Sequence, residues 1–527
     1  MSEVEKLPNG WVLTTIPSLI SGGLFTDGDW VESKDQDPKG SVRLLQLADI
    51  GDGFFINKSN RFLNEETANY LNCTYLKPND VLVARMPDPL GRACLMPKTN
   101  QASVTVVDVC VIRPGKVEHF STSWLMHFIN SPEFRGKIAA LQSGSTRKRI
   151  SKGNLSKIEL PLPPRGEQDR IVDKLEELFS ELDAGVKELK AAQTKLSQYR
   201  QSLLKSAVEG SLTQQWRAEN SGKVQETGAQ LLARILKQRR EQWQQQKLAE
   251  FAEKGKTPPK NWQDAYPEPV QPDTTDLPKL PEGWVWASVA QVASDLPYSL
   301  AIGPFGSNLK VSDYRNEGVP LIFVRNIRSG NYGGEFTKFI SEEKAIELAA
   351  HKAVGGDVII TKMGEPPGDA DIYPLNQPDS IVTADCIKVS CNEKLILPAF
   401  LKATINSLIG RQQIRPMTKG VAQKKVSLGR FSFFAVPIPS LSEQKLIITK
   451  LSEDLELITR QLDSIYLGLK QSEAQRKNIL KSAFSGQLVS QDPNDEPASV
   501  LLEKIKRERE ALAKMPKPRK PSKPKKR

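Results

Sequence analysis

The chain has 527 residues, which is more than one compact fold usually holds, so several separate cores are expected. Hydrophobic residues make up 39% and charged residues 26%, close to the globular norm, and no apolar run approaches the roughly 20 residues that span a bilayer, which argues against a membrane-spanning protein. The net charge of +12 lies mostly at one end: residues 514–527 hold eight basic residues and no acid, leaving +4 for the rest.

The opening MSEVEKLPNGW has acids and no apolar stretch behind a basic start, so neither a secretory signal nor a transit peptide is read and a cytoplasmic protein is expected. Five cysteines without a CxxC pair fit reduced thiols better than a disulfide framework. From LPNGW (7–11) onward, residues 1–160 show short β-branched runs such as VTVVDVCVI (104–112), broken by the turns KPND and RPGK. Residues 121–142 read instead as helix, starting from a Ser/Thr cap and interrupted at Pro132, which makes the whole a small α/β module. Residues 161–212 open with PLPPRGEQ and close with LLKSAVEGSL. Between these, Ile171, Leu175, Leu178, Leu182, Leu189, Leu196, Tyr199 and Leu203 fall largely on steps of 3, 4 or 7 residues, the stripe of one long helix. Residues 213–280 join the halves, with a polar helix over 231–254 and a Pro-rich linker over 257–281.

The chain then repeats itself. LPEGW (280–284) answers LPNGW, PIPSLSEQ (437–444) answers PLPPRGEQ, and ILKSAFSGQL (479–488) answers LLKSAVEGSL, the last two pairs at one offset of 276. PNDVLVARM (78–86) answers GGDVIITKM (355–363), one residue out of that register. A second module is therefore expected over 281–436, a second long helix over 437–488, and a C-terminal helix with a basic tail over 489–527. The second stripe, Leu451, Leu455, Ile458, Leu462, Ile465 and Leu469, runs without a break. Each stripe would expose an apolar seam unless the two helices pack together, and a chain that must return between them favours an antiparallel pair, each about 60 Å long at about 1.5 Å per residue.

Two matching loops carry the densest basic and hydroxyl content outside the tail. The first contains Gly144, Ser145, Arg147, Lys148, Arg149 and Ser151, the second Lys419, Gly420, Gln423, Lys424, Lys425 and Ser427. Arg and Lys neutralise phosphates, hydroxyls and backbone amides fix register, and Arg, Lys or Gln reach purine edges, so both loops suit duplex DNA. Arg85 and Lys362 in the paired strands are further candidates, as are Arg325 and Asn326 in FVRNI and Ser307, Asn308 and Lys310 in GPFGSNLK. The residues alone also leave open a duplicated coiled-coil scaffold that binds proteins or RNA. No Walker A loop, no [ND]PP[YF] motif and no FxGxG cofactor loop occurs, and three histidines supply a zinc site or a triad poorly, so no catalytic centre and no metal site is read.

The order of these elements, LPxGW, a variable module, PxPxxxEQ before a heptad helix, LKSAxxG at its end, and the whole repeated once, resembles the specificity subunit (HsdS) of type I restriction-modification systems across essentially the whole chain. The resemblance implies an α+β fold: two α/β target recognition domains in a pseudo-twofold tandem repeat, separated by two long helices that form an antiparallel coiled coil. It implies a subunit without catalysis that reads one half of a split, asymmetric double-stranded DNA target with each domain. It also implies docking of two methyltransferase (HsdM) and two restriction (HsdR) subunits, to which S-adenosylmethionine, ATP and magnesium would belong.

Overall fold

A computed structural model of the chain describes residues 7–86, 89–144, 147–327, 338–420 and 424–514. It divides into two compact units, one made of residues 1–190 with 466–527 and the other of residues 191–465. Ser145, Gln423 and the basic tail beyond Lys514 lie outside the described residues.

In unit 1 an antiparallel sheet has the order Leu24–Asp27, Val109–Arg113, Val81–Ala84, Ala93–Leu95, and a second sheet has the order Phe62–Leu63, Val42–Leu45, Ser103–Thr105 with its last pair parallel. Unit 2 repeats the first sheet as Leu300–Ile302, Cys386–Val389, Val358–Thr361, Ala370–Ile372, and the second as Phe339–Ile340, Val319–Ile322, Ser380–Val382, Lys352–Ala353. Alternation along the central strand divides the core in two. Val81 and Val83 face the cluster built on Trp124 and Phe128, while Leu82 and Ala84 face the one built on Leu45 and Ile50. Val358 and Ile360 face Phe400, and Ile359 faces Tyr373, in the same way. All four residues of Val81–Ala84 are buried, and a strand covered on both faces reads as a continuous apolar run.

The helical stretch of each module is two helices, not one interrupted helix. Thr122–Ile129 is capped by Ser121 and stops at Asn130, whose amide group both accepts from Ala93 N and donates to Ala93 O; Ser131 then caps Pro132–Leu141. Pro132 thus opens a helix, where its missing N–H costs nothing. Asn406 holds Ala370 N and O in the same two bonds between Pro398–Asn406 and Leu408–Met417.

The two long helices are Arg165–Glu209 and Leu441–Phe484. They run antiparallel within each unit. In unit 1 Asp183 meets Arg476 and Leu189 meets Gly468, so numbers rise on one helix as they fall on the other. In unit 2 Leu203, Leu204 and Ala207 share a core with Ile447, Leu451 and Ile458. Of the predicted stripe, Ile171, Leu175, Leu451, Ile458 and Ile465 are buried and Leu178, Leu182, Leu189, Leu196, Leu455, Leu462 and Leu469 half-buried, whereas Tyr199 is 53% exposed and falls outside the seam. Ile171 and Leu175 pack into the Trp124 core of their own module, so the interhelical seam is shorter than the stripe. Gly210 (φ +79°) and Gly486 (φ +74°) end the long helices in the left-handed region, which explains the glycine of both LKSAxxG motifs.

The remaining helices close the units. Gly228–Glu253 lies in unit 2, with Leu231, Leu232 and Ile235 in the core and Ala229 N donating to Gly283 O; Ala498–Lys514 lies in unit 1, with Ala498 N donating to Gly10 O. The Pro-rich 257–281 segment, predicted as a linker, is packed on unit 2. Val270 O accepts from Ser288 Oγ at 2.6 Å, Trp262 stacks on Trp243 at 5.9 Å, and Tyr266 is buried.

Candidate DNA-binding faces

Each module is pinned to the start of its long helix by one acid and one amide from the EQ of the repeated motif. Strand Val12–Thr15 pairs with Glu159–Leu162, which brings Trp11 to Glu167, and the indole Nε1 donates to Oε2 at 3.0 Å. Strand Val285–Ser288 pairs with Ala435–Ile438, and Trp284 Nε1 donates to Glu443 Oε2 at 2.9 Å. Gln168 accepts from Ser121 N and donates to Pro163 O, and Gln444 accepts from Leu397 N and donates to Pro439 O, so each amide ties the module's helix to the long helix. Burial pushes the Glu167 carboxyl above its ordinary value, although the Trp11 bond opposes it.

On this frame both predicted basic loops form short hairpins. In unit 1 Ser143 and Arg149 exchange backbone hydrogen bonds at 2.9 Å, and Gly144 turns the chain at φ +94°. In unit 2 Thr418–Lys419 pairs with Lys425–Val426, with Gly420 at φ +111°. Both hairpins are anchored at one place. Ile150 N donates to Arg85 O at 3.1 Å, and Val426 N donates to Lys362 O at 3.1 Å. Beyond each hairpin a serine caps a short helix: Ser151 accepts from Asn154 N, and Ser427 from Arg430 N. The structure thus brings Gly144, Arg147, Lys148, Arg149 and Ser151 together, and Lys419, Gly420, Lys424, Lys425 and Ser427 together. The side chains of Arg147, Lys148, Arg149, Lys419, Lys424 and Lys425 are exposed, and Lys424 reaches Glu365 at 2.7 Å.

The strand candidates are held differently. The Arg85 guanidinium lies 3.1 Å from Asp27 and donates to Ile150 O and Val107 O, which clamps hairpin to sheet. Lys362 is 8% exposed, donates to Ala384 O at 3.0 Å and lies 4.4 Å from the Phe305 ring; burial lowers its pKa below the usual lysine value. Ser307, Asn308 and Lys310 follow Phe305 on an exposed turn. Asn326 is buried and accepts from Phe323 N, and Arg325 lies over the Phe323 ring at 4.4 Å, so these two serve their own turn. The buried tryptophan anchors are absent from the predicted site; their signal is the recurrence of both LPxGW and EQ in the two halves, 156 residues from Trp to Glu in one and 159 in the other.

Among the described residues no cluster of histidine, cysteine, aspartate and glutamate could hold a metal ion, and no helix is long and apolar enough to cross a membrane. The five cysteines are unpaired, and burial pushes the thiols of Cys94, Cys110 and Cys386 up to about 12.

Residues 30–191 and 310–465, together more than half of the chain, match the type I restriction modification DNA specificity domain. The chain is similar to the type I restriction enzyme EcoBI specificity subunit of Escherichia coli, at 23% identity over 514 residues covering 95% of this chain and 92% of the relative. It is similar also to the EcoKI specificity subunit of Escherichia coli strain K12, at 22% identity over 529 residues covering 96% and 97%. A solved chain from a type I R-M system, described for its complex assembly and conformational transition, shares the fold with a TM-score of 0.61 over 92% of this chain and 99% of its own, at 15% identity. The chain therefore belongs to the type I restriction-modification DNA specificity family, as a specificity subunit whose role is recognition and not catalysis.

Proposed function

We propose that each module of this specificity subunit reads one half of a split, asymmetric double-stranded DNA target, with the hairpins at 143–151 and 418–427 as phosphate- and base-contacting elements. The observation that carries the reading is the recurrence of the same basic hairpin, bonded to the same strand end through Arg85 O and Lys362 O. A basic loop on one module is an ordinary solvated surface, but one retained on matching anchors in two otherwise diverged modules points to a shared ligand. Phosphate contacts would supply affinity and the differing hairpin residues would supply different base contacts. Arg85 and Lys362 act in this reading as positioning residues for their hairpins.

The domain limits follow from the same reading: target recognition within 1–160 and 281–436, spacer helices within 161–212 and 437–488, and closing helices within 213–280 and 489–527. The antiparallel long helices would set the gap between half-sites. Similar docking surfaces supplied twice by one pseudo-twofold chain suit two copies each of a methyltransferase and a restriction subunit. S-adenosylmethionine, ATP and magnesium would then act on those partners. The test is to co-express the chain with the methyltransferase encoded beside it in a methylation-free host and map adenine methylation by direct sequencing. A two-part motif with a fixed gap is the expected result; a continuous or palindromic motif would refute the two-module reading.

A further inference from the structure

Each module holds a large aromatic side chain out in solvent just beyond the first strand of its larger sheet, and the two occupy the same place in the fold. In unit 1 the strand Leu24–Asp27 runs into Gly28, whose amide donates to Val109 O at 2.8 Å and whose Cβ, were there one, would lie 2.2 Å from Val106 O. Two residues on, Trp30 is 71% exposed. In unit 2 the strand Leu300–Ile302 runs into Gly303, whose amide donates to Cys386 O and whose Cβ would lie 2.1 Å from Thr383 O. Two residues on, Phe305 is 58% exposed. The two strands pair with equivalent neighbours, Val109–Arg113 and Cys386–Val389. Trp124, Phe128, Phe134, Phe400, Phe431 and Phe434 are fully buried, while Phe54, Tyr70, Tyr298 and Phe433 are exposed elsewhere in the modules. A single exposed ring is ordinary on a protein surface; what sets Trp30 and Phe305 apart is that they stand two residues beyond equivalent strand-end glycines.

In unit 2 one residue joins ring and hairpin, and in unit 1 the equivalent residue joins the hairpin to the strand that leads to the ring. Arg85 lies against Asp27, three residues before Trp30, while bonding both backbone atoms of Ile150 at the foot of the hairpin. Lys362 sets its ammonium 4.4 Å from the Phe305 ring while its carbonyl accepts from Val426 N. A cation beside an exposed ring, next to a strip of lysines and arginines, is a surface suited to a flat aromatic ligand carried on a polyanion, which describes a nucleobase on its phosphate backbone.

We propose that Trp30 and Phe305 are the base-stacking residues of the two modules, each wedging its ring against a base step of the half-site that its module's hairpin grips and partly unstacking that step. This inference rests on the DNA-reading role proposed above and adds a second kind of contact to it. The hairpins attract phosphates and weaken with salt; a stacked ring holds a base by a force that salt does not screen.

The experiment uses the full chain assembled with its methyltransferase partner on a duplex carrying the mapped target. Trp30→Ala and Phe305→Ala are compared with Trp30→Phe, Phe305→Tyr and the triple change R147A/K148A/R149A across a salt series. Each alanine change is expected to weaken cognate binding roughly 5- to 150-fold without altering the salt dependence, and the aromatic replacements to restore most of the loss. A 2-aminopurine in the matching half-site should lose its binding-linked fluorescence change in that module's alanine variant alone. Wild-type affinity in both alanine variants, with the triple variant weakened and its salt slope flattened, would overturn the stacking role while leaving the DNA-reading face intact. Wild-type affinity in all of them would overturn both.

Discussion

Replacing Glu443 by alanine should destabilise unit 2 more than the matching change at Glu167 destabilises unit 1. Glu443 is 4% exposed at its side chain and serves three donors: Trp284 Nε1 at 2.9 Å, Thr213 Oγ1 at 2.6 Å and the Arg217 guanidinium at 2.6 Å. Removing the acid leaves Arg217, 20% exposed, as a largely buried charge without its counter-ion, a change that costs about 3–5 kcal/mol. Glu167 accepts the Trp11 indole, while the Arg170 guanidinium beside it is bonded to Asp495, so Glu167→Ala leaves one neutral donor unpaired at about 1–3 kcal/mol. At about 2–4 °C per kcal/mol for a unit of this size, Glu443→Ala should lower its transition by roughly 6–20 °C. Scanning calorimetry of the full chain resolves this, with urea titration as a second measure. Equal losses in the two variants, or a loss below about 1 kcal/mol for Glu443→Ala, would refute the reasoning that the shared acid is what holds Arg217 in place.

Three more outcomes are expected. Burial, with the Arg476 charge second, lowers the His127 pKa to about 4, so the unfolded chain binds a proton that the folded one refuses; the stability of unit 1 should fall by about 3 kcal/mol as pH drops from about 6.5 to about 4, and His127→Leu should flatten that window in pH-dependent urea melts. Gly228→Ala should cripple unit 2, because the new methyl would lie 1.8 Å from Ile438 O, and soluble yield with circular dichroism would show it. Inserting seven residues into each long helix, between 190 and 191 and between 465 and 466, should lengthen the gap between half-sites by about 3 base pairs, from about 10.5 Å of added helix at about 3.4 Å per pair, with the bases read unchanged; methylation mapping reports the gap.

The parts of this architecture visible in the sequence are those that local chemistry repeats. The long helices follow from apolar spacing, the strands from β-branched runs such as Val81–Ala84, and the hairpins from charge recurring at a fixed offset. The motifs LPxGW and EQ were visible as repeats, but their reason was not, because the Trp11–Glu167 bond joins residues 156 positions apart. Exchange of closing helices between the halves was invisible for the same reason: Ala498 meets Gly10 through one backbone bond, and nothing in either segment names the other. The packing of the Pro-rich 257–281 segment is not legible because proline content suggests an extended spacer, while Trp262 and Tyr266, the residues that fasten it to Trp243, are few among many polar neighbours. Trp30 is not marked out by sequence because exposure is a tertiary property. Position 30 stands out only once Gly28 and Gly303 are seen at equivalent strand ends.

The division of the chain into a continuous unit 2 and a unit 1 assembled from two segments that flank it gives the ribosome an ordering problem. Residues 191–465 emerge as one stretch and can complete their core as they leave the exit tunnel. Unit 1 cannot: its sheets are made early, but Leu480, Phe484 and Ala498, which share a core with Trp11 and Trp124, are made only after residues 191–465. At about 5–20 residues per second, some 275 residues must be added between Lys190 and Tyr466, so the first-made module waits roughly 14–55 s with an apolar face uncovered. A chain stalled before Leu480 would therefore present that face to chaperones and proteases, and one carried past Ala498 would shelter it. The packing of Ala498 on the first-made module thus reports that both halves have been synthesised, a check that the chain gains from its topology.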